Sequence, residues 1–142
     1  GVEGVTRCQS GELAALVTAP LNKEGLHAAG YDFPGHTELL AKLTKTKQFA
    51  MMMVGGGMHV ALVTIHIPLA KVSSALTKQK ILDVIGLTHA AMKQLGLSNP
   101  RIAVAGLNPH AGEGGAFGRE EIEVIAPAVR VTIRHGIDAR FL

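Results

Sequence analysis

The sequence predicts an α/β fold in which a mixed sheet is flanked by helices. Three observations carry that reading. Short apolar runs at residues 13–18 and 102–105 have strand length and stop at loop-forming residues. Residues 81–95 and 122–129 repeat their apolar side chains at helical spacing. Between them in type, residues 49–54 and 58–66 are β-rich runs separated by Gly55-Gly56-Gly57. Glycine takes positive φ without penalty, so this triplet predicts an antiparallel hairpin.

In chain order, residues 13–18 (Leu-Ala-Ala-Leu-Val-Thr) read as a buried strand halted ahead of Pro20, and Asn22-Lys23-Glu24 opens a short helix. A turn over residues 30–35 leads into a helix at 37–45 that would carry Leu39, Leu40 and Leu43 inward, with His36 and Thr37 at its start. After the hairpin, Thr77 is placed to cap a long helix whose Ile81, Val84, Ile85, Met92 and Leu95 share a face and which Gly96 ends. Pro100 precedes a buried strand at 102–105, which runs into a glycine-rich loop at 106–118. The last helix has Glu120 and Glu121 in its first turn, where carboxylates favour the macrodipole, and Ile122, Ile125, Ala126 and Val129 on one face. Pro127 should kink or shorten it.

The 142 residues are 47% hydrophobic and 18% charged, enough to bury a core and too apolar for a disordered chain. They are expected to form one α/β segment over 1–142. The chain starts on Gly1 and finishes on an apolar Phe141-Leu142, which leads us to expect a piece of a longer protein. The apolar runs at 60–63 and 102–105 fall far short of the roughly 20 residues that span a bilayer, so no membrane span is expected. The lone Cys8 cannot pair within the chain, and the first residues lack a signal peptide's basic and apolar regions, so the expected compartment is the cytoplasm. The net charge of +3 comes from scattered lysines, and aromatic residues are only 4%, which argues against a nucleic-acid surface. Lys42, Lys45 and Lys47 read as the outer face of a helix, although attraction of an anionic substrate would also suit them.

No dinucleotide-binding glycine fingerprint follows a strand, no P-loop is present, and no Cys-x-x-Cys pair exists. The histidines are the remaining candidates. His36 (in Pro34-Gly35-His36-Thr37-Glu38), His66 (in Thr64-Ile65-His66-Ile67-Pro68) and His110 (in Asn108-Pro109-His110-Ala111-Gly112-Glu113) stand where strands give way to loops or loops to helices, the places that line ligand crevices in α/β sheets. Neutral imidazole ligates zinc-like cations, and ligands from separate strand ends can converge. For any one of them a plain hydrogen-bonding role near a turn is the commoner reading, less so for His110 because of its neighbours. The glycines at 112–115 would let backbone N–H groups face an anion, or would simply make a turn. Lys23 could reach an anionic ligand or stay in solvent, and Arg119 could hold an anion or pair with Glu123. His27, His59, His89 and His135 read as structural.

Four motifs occur in one order: residues 15–23 (Ala-Leu-Val-Thr-Ala-Pro-Leu-Asn-Lys), 34–38, 64–69, and 106–115 followed by 117–122 (Phe-Gly-Arg-Glu-Glu-Ile). Together they resemble the 4-hydroxythreonine-4-phosphate dehydrogenase family, from near Gly1 to about Arg140. The resemblance implies a fold similar to the isocitrate and isopropylmalate dehydrogenases, a homodimer, and NAD with a divalent metal (zinc, alternatively magnesium or cobalt) as cofactors. It implies metal ligation by His66 and His110 and substrate contact by His36 and Thr37. Glu113, beside His110, could orient a ligating ring or could equally face solvent. The family's third metal histidine, in a Tyr-His-Asp-Gln-Gly motif, has no counterpart in these residues. The implied reaction oxidises 4-phosphohydroxy-L-threonine and releases carbon dioxide, giving 3-amino-2-oxopropyl phosphate for pyridoxal phosphate synthesis. The alternatives are a relative acting on another hydroxy acid phosphate or a cis-dihydrodiol carboxylate, or a metal-binding fragment without activity.

Overall fold

The computed structural model describes residues 2–20, 22–28, 30 and 35–142. They fall into two compact units, Gly1–Phe49 and Ala50–Leu142, which are taken in turn. The interior of the turn expected at 30–35 lies outside the described residues, as do Leu21 and the Lys23 and His27 side chains.

The first unit holds three helices, α1 (Val2–Gln9), α2 (Lys23–Ala28) and α3 (His36–Leu43). In α1 the Glu3 and Arg7 side chains pair at 2.8 Å on the exposed face, while Val5 is buried and the helix packs on α3. Asn22 starts α2 as expected, its Oδ1 accepting the Gly25 N–H at 2.9 Å. His36 and Thr37 do open α3, but the helix ends two residues earlier than expected. Thr44 caps it, its hydroxyl donating to the Leu40 carbonyl at 2.8 Å, and Lys45 turns away with φ 55°. Lys45 and Lys47 therefore leave the helix and do not extend the face that carries Lys42. Leu39 and Leu43 are half-buried, whereas Leu40 is exposed. Residues 13–18 are not a buried strand: they are irregular and exposed, with Val17 95% accessible. A strand needs a neighbouring ladder for its backbone groups, and the described residues of this unit contain none.

The second unit confirms the mixed α/β class through one antiparallel and one parallel strand pair. β1 (Met51–Gly55) and β2 (Met58–Leu62) form the predicted hairpin, pairing Met51 with Leu62 through to Gly55 with Met58. Its turn is Gly56-Gly57, both at positive φ, the combination that matches the twist of the strands. The second strand stops at Leu62 because β1 offers no partner beyond Met51, so residues 63–66 form a bend and not the expected continuation. A 3₁₀ turn at Leu69–Lys71 and the short α4 (Val72–Ala75) follow.

α5 (Lys78–Gln94) is the long helix the spacing predicts. The Thr77 side chain accepts the Lys80 N–H at 3.2 Å, Ile81, Ile85 and Met92 are buried, and Gly96 follows at φ 96°. Leu95, on the capping residue, is exposed. β3 (Ile102–Val104) runs parallel to β4 (Ala139–Phe141), a strand the sequence did not announce. With one partner only, β3 is half-buried and not fully buried as expected: Ile102 and Val104 face the core while Ala103 is exposed.

The last helical segment changes register within itself. Glu123 N–H bonds the Arg119 carbonyl four residues back, but Ala126 N–H bonds Glu121 five back, so residues Glu121–Ile125 make a π-turn ahead of α6 (Ala126–Arg134). Pro127 has no N–H to lose at that point, which is why the wide turn sits directly before it. The shift leaves Ile122 exposed, contrary to the expected apolar face, and buries Glu121 beside Ile125. Ile81 and Ile85 of α5 meet Ile125 and Ala128 in one core, joined by Ile102, Val104 and Phe141 from the parallel strands. Val63 and Leu107, at the roots of the two histidine segments, pack on the same cluster. Among the described residues, no helix is long and apolar enough to cross a membrane.

Candidate metal and substrate site

His36 and Thr37 are half-buried at the start of α3 in the first unit, where His36 lines an apolar cavity of about 320 Å³ with Val5, Leu16, Pro20, Leu39 and Leu40. His66 and His110 lie in the second unit, each exposed and each beyond the end of a strand. His66 has φ 55°, in the bend after β2. Of the four described non-glycine residues with positive φ, three are His66, Ala111 (46°) and Glu113 (40°). Such backbone is held only where its surroundings enforce it, and here it is concentrated at the two histidine segments.

The His110 loop is built from its own side chains. Asn108 Oδ1 accepts the His110 N–H at 2.9 Å and the Gly112 N–H at 3.4 Å, while its amide donates to the Phe117 carbonyl at 3.2 Å. The Phe117 ring lies 5.3 Å from the imidazole. Glu113 Oε1 stands 2.9 Å from His110 Nδ1, which leaves Nε2 as the ring atom available for ligation. The loop lines an open concavity of about 720 Å³ with Ala105, Gly106, Leu107 and Leu142.

Most N–H groups of the glycine-rich stretch are turned inward and do not converge on an anion. The N–H groups of Glu113, Gly115, Ala116 and Phe117 all bond carbonyls within the loop, so they are already committed. What the glycines supply is conformation and closeness: Gly112 has φ 76°, and a Cβ there would come within 2.6 Å of Glu121 Oε2. Arg119 takes the plainer of its two readings, pairing with Glu123 at 2.5 Å.

The residues present fit a divalent cation in part. A carboxylate behind one imidazole is the arrangement that fixes a ligating ring. Two histidines at strand ends supply nitrogen donors suited to zinc. Among the described residues, no three His, Cys, Asp or Glu side chains gather to hold an ion. Sequence reasoning gave Glu121 only a first-turn macrodipole role, whereas it is 3% exposed with Oε1 accepting the Leu107 N–H at 2.8 Å. The available signal was a carboxylate four residues before Ile125, on the apolar face. Sequence reasoning passed over Ser73, whose hydroxyl donates to Glu120.

The family described as pyridoxal phosphate biosynthetic protein PdxA matches residues 2–140. A 4-hydroxythreonine-4-phosphate dehydrogenase of Chromobacterium violaceum is 52% identical over 132 residues, 92% of this chain and 40% of its own length. A D-threonate 4-phosphate dehydrogenase of Pectobacterium atrosepticum is 48% identical over 129 residues, 91% of this chain and 40% of its own length. The crystal structure of a 4-hydroxythreonine-4-phosphate dehydrogenase from Klebsiella pneumoniae superposes with a TM-score of 0.88 at 45% identity, covering 98% of this chain and 42% of that one. The fold implied by the resemblance is thus the fold observed. The chain spans about two fifths of the length of the relatives it matches.

Proposed function

The chain belongs to the pyridoxal phosphate biosynthetic protein PdxA family, and from that premise we propose that it is the central part of a longer, homodimeric, cytoplasmic dehydrogenase. That enzyme uses NAD and a divalent metal to oxidise a phosphorylated hydroxy acid of the threonine type, 4-phosphohydroxy-L-threonine, with loss of carbon dioxide in pyridoxal phosphate synthesis. The observation that carries this reading is the 2.9 Å contact of Glu113 with His110 Nδ1 in the loop that holds the last of the four motifs. A carboxylate at that ring nitrogen is the group that orients a ligating imidazole.

In this reading His66 and His110 hold the metal, zinc by preference of their nitrogen donors and otherwise magnesium or cobalt. When bound, such a cation supplies Lewis-acid stabilisation of negative charge on a substrate oxygen. Glu113 keeps the His110 ring in one orientation and places the Nδ1 proton between the two side chains, so that Nε2 carries a lone pair. Asn108 holds the backbone on either side of that ring. His36 and Thr37 bring an imidazole and a hydroxyl to the substrate as orienting hydrogen-bond partners. D-threonate 4-phosphate is the second substrate reading, favoured by a relative of that name at 48% identity. Both substrates carry a phosphate and a secondary alcohol.

Zinc calorimetry tests the metal assignment. His66→Ala and His110→Ala each weaken binding by about 10-fold or more, as loss of one ligand should, whereas His89→Ala leaves it unchanged. Equal affinity in all three variants rejects the assignment. NADH formation by the longer chain with each phosphorylated acid then separates the two substrates.

A further inference from the structure

Glu121 is the one described carboxylate that is almost wholly buried, at 3% exposure. Burying a carboxylate is costly unless it is hydrogen-bonded, and an apolar side chain of the same size is often at least as stable. Its position therefore asks for a reason other than stability. Oε1 accepts the N–H of Leu107, three residues beyond the end of β3. Oε2 has no hydrogen-bond partner and lies against Gly112. A Cβ on Gly112 would approach it to 2.6 Å, and a Cβ on Gly106 would come 3.3 Å from Oε1 and 2.9 Å from the Ala111 backbone. The chain leaving β3 and the chain returning after His110 thus close on one carboxylate, with Asn108, Pro109 and His110 between them.

We propose that Glu121 is the positioning residue of the His110 loop, its carboxylate holding Leu107 on one side and packing against Gly112 on the other so that the imidazole is presented in a fixed place. The consequence for metal affinity rests on the proposed ligation by His110; the placement of the ring does not. The bond to Leu107 sets where the loop starts, and the contact with Gly112 sets where it returns. A glycine is required at 112 twice over, by its φ of 76° and by the proximity of Oε2.

The test uses the purified chain with Glu121→Ala, Glu121→Gln and Glu121→Asp, and Val129→Ala as a buried control in α6. The His110 imidazole is followed by nitrogen-resolved NMR, and Zn²⁺ affinity by calorimetry. Glu121→Ala is expected to move the His110 ring signals and to weaken Zn²⁺ binding about 10-fold or more. Glu121→Gln keeps an acceptor for Leu107 and should restore most of both. Val129→Ala lowers Tm and moves neither. Unchanged His110 signals in folded Glu121→Ala overturn the proposal. Where Glu121→Ala fails to fold, Glu121→Asp makes the same comparison with a reach one methylene shorter, and unchanged ring signals overturn the proposal there too. The NMR arm needs no metal. A parent chain that binds no Zn²⁺ while Glu121→Ala still moves the ring signals supports the positioning role on the NMR arm alone, the metal then requiring a ligand from outside these residues.

Discussion

The Ser73 hydroxyl donates a hydrogen bond to the Glu120 carboxylate across 47 residues of sequence. Ser73 lies in α4, shortly after the His66 bend, and Glu120 lies where the His110 loop enters the last helical segment. The next residue, Glu121, bonds Leu107 at the opposite end of that loop. One dipeptide therefore ties the segment after His66 outward and braces the His110 loop inward. Adjacent helical residues point about 100° apart, so two carboxylates in sequence can serve two different partners.

Ser73→Ala should shift the titration of Glu120. Donation from the Ser73 hydroxyl is the largest cause holding its carboxyl below the usual value of 4.5, followed by the backbone N–H of Glu120 itself. A depressed carboxylate contributes stability that is present above 4.5 and lost as pH falls through its folded value. The parent chain should therefore melt above Ser73→Ala at neutral pH, and the gap should close as the pH is lowered beneath 4.5. Carboxyl NMR titration checks the shift directly: the Glu120 midpoint rises toward 4.5 in the variant. An unmoved midpoint would mean that the bond does not persist in solution.

Glu113→Gln should separate affinity from stability. The His110 and Glu113 side chains are 62% and 55% exposed, so their contact contributes less than about 1 kcal/mol to folding. As an orienting group behind a ligand it weighs more, and losing it should weaken Zn²⁺ binding about 10-fold or more. Thermal melts and zinc calorimetry on the same samples decide the matter. A lowered Tm with unchanged affinity would show the carboxylate to be structural.

Much of this was legible in the residues. Thr77 and Gly96 mark the ends of α5 because caps and left-handed turns are local chemistry, and Gly56-Gly57 mark the hairpin for the same reason. Contacts made at long range were not. Residues 13–18 have the composition of a strand, but composition cannot supply the ladder that a strand needs. The strand Ala139–Phe141 is defined only by β3 beside it. Glu121 follows Glu120 in sequence and looked like a second macrodipole residue. Only the π-turn ahead of Pro127 turns it inward, and no local pattern announces that register change. His110 and its neighbour Glu113 stand in one motif and could be read together, whereas the buried Glu121 and the Asn108 hydrogen bonds that brace the loop needed the folded chain.

Ile81→Ala should be the most damaging of the simple truncations in the second unit. Ile81 is 2% exposed at the centre of the cluster that joins α5, the π-turn, α6 and the parallel strands. Removing its side chain loses transfer energy and leaves a cavity that a well-packed core closes only in part, about 2–5 kcal/mol together. Leu69→Ala removes a side chain that is 88% exposed, so its cost should stay within about 0.5 kcal/mol. Urea unfolding followed by far-ultraviolet circular dichroism reports both, since helices α5 and α6 dominate that signal. Because Val63 and Leu107 rest on the same cluster, Ile81→Ala should also loosen both histidine segments. That predicts faster amide exchange at residues 64–67 and 107–112 in Ile81→Ala and not in Leu69→Ala. Unchanged exchange at either segment would show that the histidines are positioned without help from this core.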